Sequence, residues 1–396
     1  MNILQITKSF YPAVSFGGTV TSTYNLSKYL VKRGHDVTVY TTDASNISTN
    51  ERFLEKYQNI DGVKIFRFRN LVKFYGLFVS PGIIHGLREK ISNFDVVHLH
   101  EYRTFQNLAF HLLNKQEVPY ILSCHGEFAY TGESWDWYFT RRLFEYTFGR
   151  KLLNDASKLF ALTKFEAAQF FDAGIAQDKV AIIPNGVALP SSINVYPSDS
   201  FRESYGIGKE KIVLYLGRLH KIKGIDVLVK AFACLSKERK NVKLLLAGPD
   251  HGFMDYLKRL VEDLDLGDKV IFTGSLDHKQ VLAAYIASTV VVYPSIQEGL
   301  GIVPLEAALM GKAVIVSDVP TMSFVKKGAF GLTVKYGDVS QLKNALETIL
   351  DNPKMSRELG DKGKEFVNQN YSWETIVRMI ENEYYDVAGK LVKKCC

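Results

Sequence analysis

Short runs rich in β-branched residues alternate with helical patterns along almost all of the 396 residues. This alternation constrains the fold most, because strands that alternate with helices form a parallel sheet covered on both faces. The pattern predicts strands at Asn2–Ile6, Asp36–Tyr40, Val63–Phe68, Asp95–Leu99, Tyr120–Ser123, Lys158–Leu162, Val180–Ile183, Ile212–Leu216, Val242–Ala247, Val270–Gly274, Val290–Tyr293 and Ala313–Ser317. It predicts helices at Thr19–Arg33, Thr104–Leu113, Tyr138–Leu153, Lys164–Ala173 and Trp373–Lys393.

The alternation stops once, between residues 186 and 209, where prolines and serines accumulate. That composition is typical of a linker. We therefore predict an α/β protein with two doubly wound, Rossmann-like domains facing a cleft. The first domain spans 1–188, the linker 189–209 and the second domain 210–371. The helical pattern at 373–394 follows the second sheet, and we expect this helix to pack back on the first domain.

The composition, with 46% hydrophobic and 23% charged residues, is that of a soluble globular protein. No apolar run reaches about 18 residues, so no transmembrane helix is predicted. The N-terminus begins directly with a strand pattern and does not resemble a signal peptide. Four scattered cysteines do not form a disulfide framework, which favours a reducing cytoplasm. The terminal pair Cys395-Cys396 is a candidate lipidation site, but it does not fit the C-a-a-X pattern, and an unmodified tail is expected.

The net charge of +7 is modest for this length. It is compatible with an anionic ligand or an anionic membrane surface, and it does not indicate nucleic-acid binding. No His/Cys cluster has the spacing of a zinc site, so neither a metal nor a cofactor is predicted.

The most informative segment runs from Glu298 to Glu306, directly after the apolar run Val290–Tyr293. The pattern places Glu298 in the loop after a strand and Glu306 in the first turns of a helix. Carboxylates at this edge of a parallel sheet suit the binding of hydroxyl groups, and a helix N-terminus can receive a phosphate. A solvated loop with an acidic residue near a helix N-terminus is the alternative. The substrate-binding candidates between the two glutamates are Gly299, Leu300, Gly301, Ile302 and Val303.

The second half begins with a strand followed by Arg218 and Lys223. A guanidinium and an ammonium at the C-terminal end of a strand can hold a diphosphate and stabilise charge on a leaving phosphate. A solvated basic loop is the alternative.

In the first half, Gly17 and Gly18 lie between a strand and a helix, where backbone amides can approach a phosphate. His125 follows a strand and can exchange hydrogen bonds with a substrate hydroxyl. His98 and His100 alternate on one face of a predicted strand and are interpreted as structural, because no third metal ligand accompanies them.

These motifs, in this order and over nearly the whole chain, resemble the retaining glycosyltransferases of family four, which have the two-domain GT-B fold. The resemblance rests on Gly17-Gly18, His125-Gly126, Gly217-Arg218 with Lys223-Gly224, and Glu298 with Glu306. The segment Tyr371–Glu374 before the last helix also resembles the family.

The resemblance implies a metal-independent transferase that moves a sugar from a UDP- or GDP-linked donor to an acceptor hydroxyl. Arg218 and Lys223 would hold the diphosphate, Glu306 the ribose and Glu298 the donor sugar. Gly18 would offer its amide to the phosphate, and His125 would contact the transferred sugar. Attack from the front face, with the departing phosphate taking the acceptor's proton, would retain the anomeric configuration. Glu298 would then be a positioning group.

The acceptor is predicted from two segments that mix basic and aromatic residues, Lys64–Lys90 and Trp135–Leu153. Such mixtures suit an anionic bilayer surface, so we expect a cytoplasmic protein that is peripheral on the inner face of the membrane. Its acceptor would be a glycan or a lipid-linked molecule of the cell envelope. Aromatics in the core beneath a solvated charged face are the alternative. Alternative functions are a nucleotide-sugar epimerase or phosphorylase of the same fold, or a non-catalytic nucleotide-sugar-binding subunit of a membrane assembly.

Overall fold

The computed structural model describes residues 1–47, 49–74, 77–115, 117–126, 128, 142–188 and 197–394. The chain divides into two compact units. The first unit comprises Met1–Gly186 and Trp373–Cys396, and the second comprises Val187–Ser372.

An eight-stranded sheet forms the centre of the first unit, in the order β10-β9-β8-β7-β1-β2-β4-β3. All neighbouring strands are parallel except β3, which runs antiparallel to β4 at the edge. The strands are β1 (Asn2–Ile6), β2 (Asp36–Thr42), β3 (Tyr57–Ile60), β4 (Val63–Phe68), β7 (Val96–His100), β8 (Tyr120–Ser123), β9 (Lys158–Ala161) and β10 (Val180–Ile182); a separate hairpin pairs β5 (Val72–Phe74) with β6 (Leu77–Val79).

The helices of the first unit cover both faces of this sheet, which explains why central strands such as β7 are buried at every position. In the described residues they are α1 (Gly18–Lys32), α2 (Gly82–Lys90), α3 (Phe105–Leu113), α4 (Arg150–Asp155), α5 (Lys164–Asp172) and, at the end of the chain, a helix at Trp373–Lys394. The predicted helix Tyr138–Leu153 lies partly outside the described residues; a π-helical turn at Glu145–Gly149 leads directly into α4.

The second unit has a six-stranded parallel sheet in the order β13-β12-β11-β14-β15-β16. Its strands are β11 (Lys211–Leu216), β12 (Val242–Ala247), β13 (Val270–Gly274), β14 (Val290–Tyr293), β15 (Ala313–Ser317) and β16 (Gly331–Val334). Its helices are α6 (Ser198–Ser204), α7 (Ile225–Glu238), α8 (Met254–Asp263), α9 (His278–Ala287), α10 (Ile302–Leu309), α11 (Ser323–Gly328), α12 (Val339–Asp351) and α13 (Pro353–Tyr371), so that Trp373–Lys394 is α14. These two units have the predicted α/β class and doubly wound topology.

The predicted linker at 189–209 is wrong in its second part. Residues 189–196 lie outside the described residues, but Ser198–Ser204 form α6. Phe201 is fully buried, and the Arg202 guanidinium donates to the Ala287 carbonyl at the end of α9, 3.1 Å away. One aromatic anchor and one charged side chain therefore fix this short helix to the second unit despite its linker-like composition.

The last helix, α14, belongs to the first unit. Its buried residues recur every three or four positions, as one face of a helix does: Trp373, Ile376, Val377, Ile380, Tyr384 and Val387. They share a core with Leu26 and Leu30 of α1 and with buried residues of the sheet. Trp373 also covers Gly186, whose missing Cβ would lie 2.5 Å from the indole.

Among the parallel strands of each sheet, the strand order reverses once, and we call that position the switch point. In the first unit it lies between β1 and β7, and in the second between β11 and β14. Ligands of open α/β sheets bind outside the carboxyl ends of the strands at such a point.

Candidate functional site

The loops after β11 and β14 meet at the switch point of the second unit. The Ile296 amide and the Ser295 hydroxyl both donate to the Ile222 carbonyl, at 3.1 and 3.2 Å. Gly224 has a left-handed backbone (φ 66°), and a Cβ there would lie 2.3 Å from the Pro294 carbonyl oxygen. Only glycine lets the two loops approach this closely.

This close approach joins Lys223 and Glu298. The Lys223 ammonium donates to Glu298 Oε1 in an ion pair, and the two side chains are only 6% and 11% exposed. The ammonium also lies over the ring of Tyr293, 5.7 Å from its centroid. Tyr293 in turn stacks on Tyr215, with centroids 6.2 Å apart. The pair therefore packs against two stacked tyrosine rings, which limit its access to water.

Arg218 presents its side chain to solvent from the same loop. Its backbone carbonyl accepts a hydrogen bond from the Tyr215 hydroxyl at 2.9 Å, which fixes the loop while leaving the guanidinium exposed. Burial lowers the pKa of His251, and the nearby positive charge of Arg218 lowers it further. An anion at this edge would meet the exposed Arg218 guanidinium.

Glycines end three neighbouring strands of this unit. Gly217 and Gly248 donate to the Ala247 and Gly274 carbonyls, each at 2.9 Å, and so extend the sheet by one residue. Gly248 has φ 140°, and a Cβ there would lie 2.0 Å from the Gly217 carbonyl oxygen. Glycine therefore lets these strand ends lie close together, and no side chain projects from them.

Glu306 lies one helical turn inside α10. Its carboxylate accepts a hydrogen bond from the Tyr285 hydroxyl at 2.9 Å. Burial raises the pKa of Glu306 to about 7, although the Tyr285 hydrogen bond acts in the opposite direction. A carboxyl group with a pKa in this range changes charge near neutrality, which is a mark of functional sites.

The start of α10 is uncapped between the two glutamates. Its N-cap residue is Gly301, no side chain caps it and its first turn contains no acidic residue. Leu300 is buried, Ile302 and Val303 are half-buried, and Gly301 packs on Met322, which a Cβ would approach to 2.5 Å. Uncapped amides and the helix dipole can bind a phosphate.

The first unit has its own candidates at the carboxyl edge of its sheet. Gly17, with φ 96°, precedes α1 as its N-cap, and Gly18 is the first residue of that helix. No side chain caps this helix either, and its first turn has no acidic residue. The two glycines therefore leave the N-terminus of α1 accessible to an anion.

His125 has a left-handed backbone (φ 52°), which is uncommon for a residue other than glycine. Glu166 fixes this turn, because its carboxylate accepts from the amides of Gly126 and Leu162 at 2.8 and 2.7 Å. A strained residue that the surroundings hold in place is typical of a functional loop.

Behind His125, a chain of hydrogen bonds runs into the core. His125 Nε2 lies 3.0 Å from His100 Nδ1, and His100 Nε2 contacts Gln5 Oε1. His98 bonds to the Tyr384 hydroxyl at 2.6 Å and to the Ser123 hydroxyl at 2.7 Å. Burial holds the pKa values of His98 and His100 well below the usual range, so both are neutral and structural.

The structure thus brings Arg218, Lys223, Glu298 and Glu306 to one edge of the second sheet, and Gly17, Gly18 and His125 to the corresponding edge of the first. Sequence reasoning missed Tyr215, Tyr285 and Tyr293, which support these side chains, and Glu166, which fixes the His125 loop. Tyrosines at strand ends and on buried helix faces carry no distinctive spacing. Glu166 is detectable only as the third residue of an N-capped helix.

The basic and aromatic residues of the segment Lys64–Lys90 are distributed differently from the prediction. Phe66 and Phe68 pack against the core, and Phe78 is 2% exposed. Arg67 is also buried; its guanidinium donates to Gln58 and to the Tyr11 carbonyl, and burial lowers its pKa to about 10.

Tyr75 and residues 129–141, which include the aromatic part of Trp135–Leu153, lie outside the described residues, as do Cys395 and Cys396.

Among the described residues, no three His, Cys, Asp or Glu side chains converge as metal ligands. No described helix combines the length and apolar character that crossing a membrane requires.

Two family models together match most of the chain. Residues 16–189 match Glycosyltransferase Family 4, and residues 197–366 match Glycosyl transferases group 1. The chain belongs to the group 1, family 4 glycosyltransferases. An uncharacterised glycosyltransferase of Methanocaldococcus jannaschii is 28% identical to this glycosyltransferase in an alignment of 400 positions that covers 97% of this chain and 98% of the relative.

Two further comparisons extend the likeness. The alpha-monoglucosyldiacylglycerol synthase of Streptococcus pneumoniae is 26% identical over 94% of this glycosyltransferase and 83% of the relative. The crystal structure of Anabaena HepE in complex with UDP-glucose has a TM-score of 0.74 and 20% identity, and the match covers 98% of this chain and all of HepE (100%). The second likeness concerns the fold, which is GT-B.

Proposed function

We propose that this glycosyltransferase moves a sugar from a UDP- or GDP-linked donor to an acceptor hydroxyl, with retention of configuration and without a metal ion. The observation that carries the proposal is the edge of the second sheet, where Arg218, the Lys223–Glu298 pair and the uncapped start of α10 lie together. Two cationic groups and a helix N-terminus suit a diphosphate. The UDP-glucose bound by HepE supports a nucleotide-sugar donor.

The diphosphate is assigned to Arg218 and Lys223. The Arg218 guanidinium is exposed and can bind two phosphate oxygens at once. Lys223 instead lies over the Tyr293 ring and has little access to water. Charges in such a dry site stabilise a leaving phosphate more strongly than charges in water do. These groups would take the place that a divalent metal has in other transferases.

The two carboxylates are assigned to hydroxyl groups. Glu306, whose partner is the Tyr285 hydroxyl, accepts hydrogen bonds from the ribose. Glu298 positions the donor sugar and holds Lys223 at the same time. The family pattern also assigns the Gly18 amide to a phosphate oxygen and His125 to the transferred sugar.

The proposed reaction needs no covalent enzyme intermediate. The bond between the sugar's anomeric carbon and the phosphate oxygen breaks, and the acceptor oxygen bonds to that carbon from the same face. The acceptor's proton passes to the departing phosphate. Arg218 and Lys223 stabilise the negative charge that develops on this phosphate, and Glu298 keeps the sugar oriented.

For the acceptor, we propose a glycan or lipid-linked molecule that the enzyme meets at the inner face of the cytoplasmic membrane. The named product of the streptococcal relative, a glucosyldiacylglycerol, supports a lipid acceptor. The hairpin β5–β6 adds exposed Leu71, Val72 and Leu77, which are 58%, 50% and 38% exposed, beside Lys73. Aliphatic side chains next to a lysine suit the surface of an anionic bilayer.

A ligand panel tests the donor. We expect UDP-glucose or GDP-glucose to raise the melting temperature of the protein, because a ligand that binds only the native state stabilises it. The same donor should be hydrolysed slowly without an acceptor, and chelation with EDTA should leave the rate unchanged. Absence of both stabilisation and hydrolysis with every UDP-, GDP- and ADP-sugar would refute the proposal. Conversion of the donor into an epimeric nucleotide sugar would favour the epimerase.

Co-sedimentation tests the membrane. Binding to anionic vesicles at low salt, weaker at high salt and weaker in the double variant Leu71→Ser/Val72→Ser, is the expected result. The matched control Leu112→Ser alters an exposed leucine on α3 of the same unit. If anionic vesicles do not bind the protein at low salt, a soluble acceptor is the better hypothesis.

A further inference from the structure

The switch point of the first unit contains a second lysine–glutamate pair. Lys8 follows β1 by two residues, and Glu101 directly follows β7. Lys8 Nζ lies 2.8 Å from Glu101 Oε1, and the Lys8 amide donates to Glu101 Oε2 at 3.3 Å. The two side chains are 19% and 2% exposed, so the pair is largely removed from water.

The backbone around this pair is held in an uncommon conformation. Glu101 is left-handed, with φ 65°, and this turn directs the chain from β7 into the loop before α3. The buried Asn107 amide donates to the carbonyls of His100 and Glu101, at 3.3 and 2.9 Å. Thr42 donates to the Lys8 carbonyl at 2.7 Å. Strain that the neighbours enforce at the carboxyl edge of a sheet indicates a functional position.

The two units repeat one arrangement. In each, a lysine from the loop after the first strand pairs with a glutamate from the loop across the switch point. In the second unit the pair is Lys223–Glu298, and in the first it is Lys8–Glu101. The lysine of the first-unit pair is the more exposed of the two lysines, since 19% of the Lys8 side chain and 6% of the Lys223 side chain reach solvent.

We propose that Lys8 binds a hydroxyl group of the acceptor and that Glu101 is the positioning residue that aims its ammonium. The inference rests on the proposed function. The ammonium that Glu101 holds at the carboxyl edge of the sheet can donate hydrogen bonds to such a hydroxyl group. The acceptor class that fits it is a polyhydroxylated molecule, such as a sugar or cyclitol.

The competing interpretation is that the pair only ties the end of β1 to the end of β7. Two variants separate these readings: Lys8→Met removes the donor but keeps the length of the side chain, and Glu101→Gln removes the charge that positions it. Glu383→Gln is the matched control, because Glu383 forms a half-buried ion pair with Lys158, 3.4 Å away, at the amino end of β9 in the same sheet.

The assay is nucleotide release from the donor that the ligand panel selects, with methyl α-D-glucopyranoside, octyl β-D-glucopyranoside or myo-inositol as neutral acceptor. We expect a neutral acceptor to accelerate release in a saturable way. Lys8→Met should raise the KM of that acceptor by about 10-fold or more, as expected for the loss of a hydrogen bond to a charged group. Release to water and the donor KM should stay unchanged, and so should every parameter of Glu383→Gln.

Three results would overturn the inference while leaving the proposed function intact. One is an acceptor KM unchanged in Lys8→Met, another is a KM that rises equally in Glu383→Gln, and the third is no acceleration by any neutral acceptor although the donor is hydrolysed. A lower melting temperature of Lys8→Met with normal kinetics would assign the pair to the structural tie. Failure of all nucleotide sugars to bind would instead refute the proposed function itself.

Discussion

Lys223 and Glu298 are 75 positions apart, yet each is the other's ionic partner at the edge of the second sheet. The family resemblance implies that they serve different parts of the donor, the lysine the diphosphate and the glutamate the sugar. Their contact means that a donor must engage both groups together, because a phosphate that draws on Lys223 competes with Glu298 for the same ammonium.

This pairing predicts strong coupling between the two residues. Lys223→Met and Glu298→Gln should each lower turnover by about 10-fold or more, since a charge aimed at the leaving phosphate is lost or misdirected. The double variant should lose less than the product of the two effects, with a coupling energy of roughly 0.5–3 kcal/mol. A double-mutant cycle on kcat measures it. Effects that multiply independently would contradict the pairing.

Nucleotide affinity gives the same pair a second readout. Glu298→Gln should leave UDP affinity unchanged or tighter, because Lys223 is then released from its carboxylate and is free to bind phosphate. Glu306→Gln should weaken UDP affinity, since the ribose loses a charged acceptor. Isothermal titration compares the two variants, and an equal loss in both would remove the assignment of Glu306 to ribose and Glu298 to sugar.

Loss of the Arg218 side chain should lower turnover without changing the stability of the fold. Its side chain is exposed, so Arg218→Ala should leave the melting temperature within experimental error while lowering turnover by about 10-fold or more. Arg259→Ala, which alters an exposed arginine on α8, is the control and should change neither quantity. Normal turnover in Arg218→Ala would exclude this guanidinium from the diphosphate site.

Donor affinity should depend on pH through Glu306. Because burial raises the pKa of Glu306 to about 7, this group is ionised above that pH and protonated below it. Ribose hydroxyls favour the ionised carboxylate, so the affinity for UDP-glucose should be full above about pH 7 and fall by up to about tenfold per pH unit below it. Titration at about pH 6 in buffers of different ionisation enthalpy should detect proton release on binding. The dependence should vanish in Glu306→Gln; if it persists there, another group is responsible.

The glycine edge of the second sheet should tolerate no side chain. Gly248→Ala places a Cβ 2.0 Å from the Gly217 carbonyl oxygen at a φ of 140°. The backbone strain alone should cost about 1–3 kcal/mol, and the clash adds to it. A lower melting temperature is therefore expected. Gly267→Ala is the control, since a Cβ there meets nothing within 4 Å. Equal melting temperatures for the two variants would show that the strand ends can separate.

The alternation of strand and helix patterns predicted the core of both sheets, because residues buried on two faces must be apolar throughout. Two edge strands, β3 and β16, were missed for the opposite reason. Strand β3 reads Tyr-Gln-Asn-Ile and has no fully buried position, so nothing in its composition distinguishes it from a loop. Strand β16 likewise has one buried residue, Val334. Helix α6 was mistaken for linker because Phe201 is the single apolar residue among Ser198–Ser204.

For the candidate site, the sequence identified side chains that can be recognised from their residue type and their position after a strand, such as Arg218, Glu298 and Glu306. It could not identify which of them touch. The contact between Lys223 and Glu298 depends on the absent side chain of Gly224, a packing detail between two loops. Tyr285 became relevant only when α9 and α10 were seen to place its hydroxyl on Glu306. Arg67 was expected at the surface and lies in the interior, because Gln58 and the Tyr11 carbonyl replace water as its partners.

The membership of α14 in the first unit has a consequence for biosynthesis. The helix is translated after the whole of the second unit, yet it supplies Trp373, Ile376 and Tyr384 to the core of the first. The unit that is translated first is therefore the last to be completed. Until α14 emerges, the core that contains Leu26 and Leu30 lacks part of its cover, and the nascent N-terminal half exposes apolar surface.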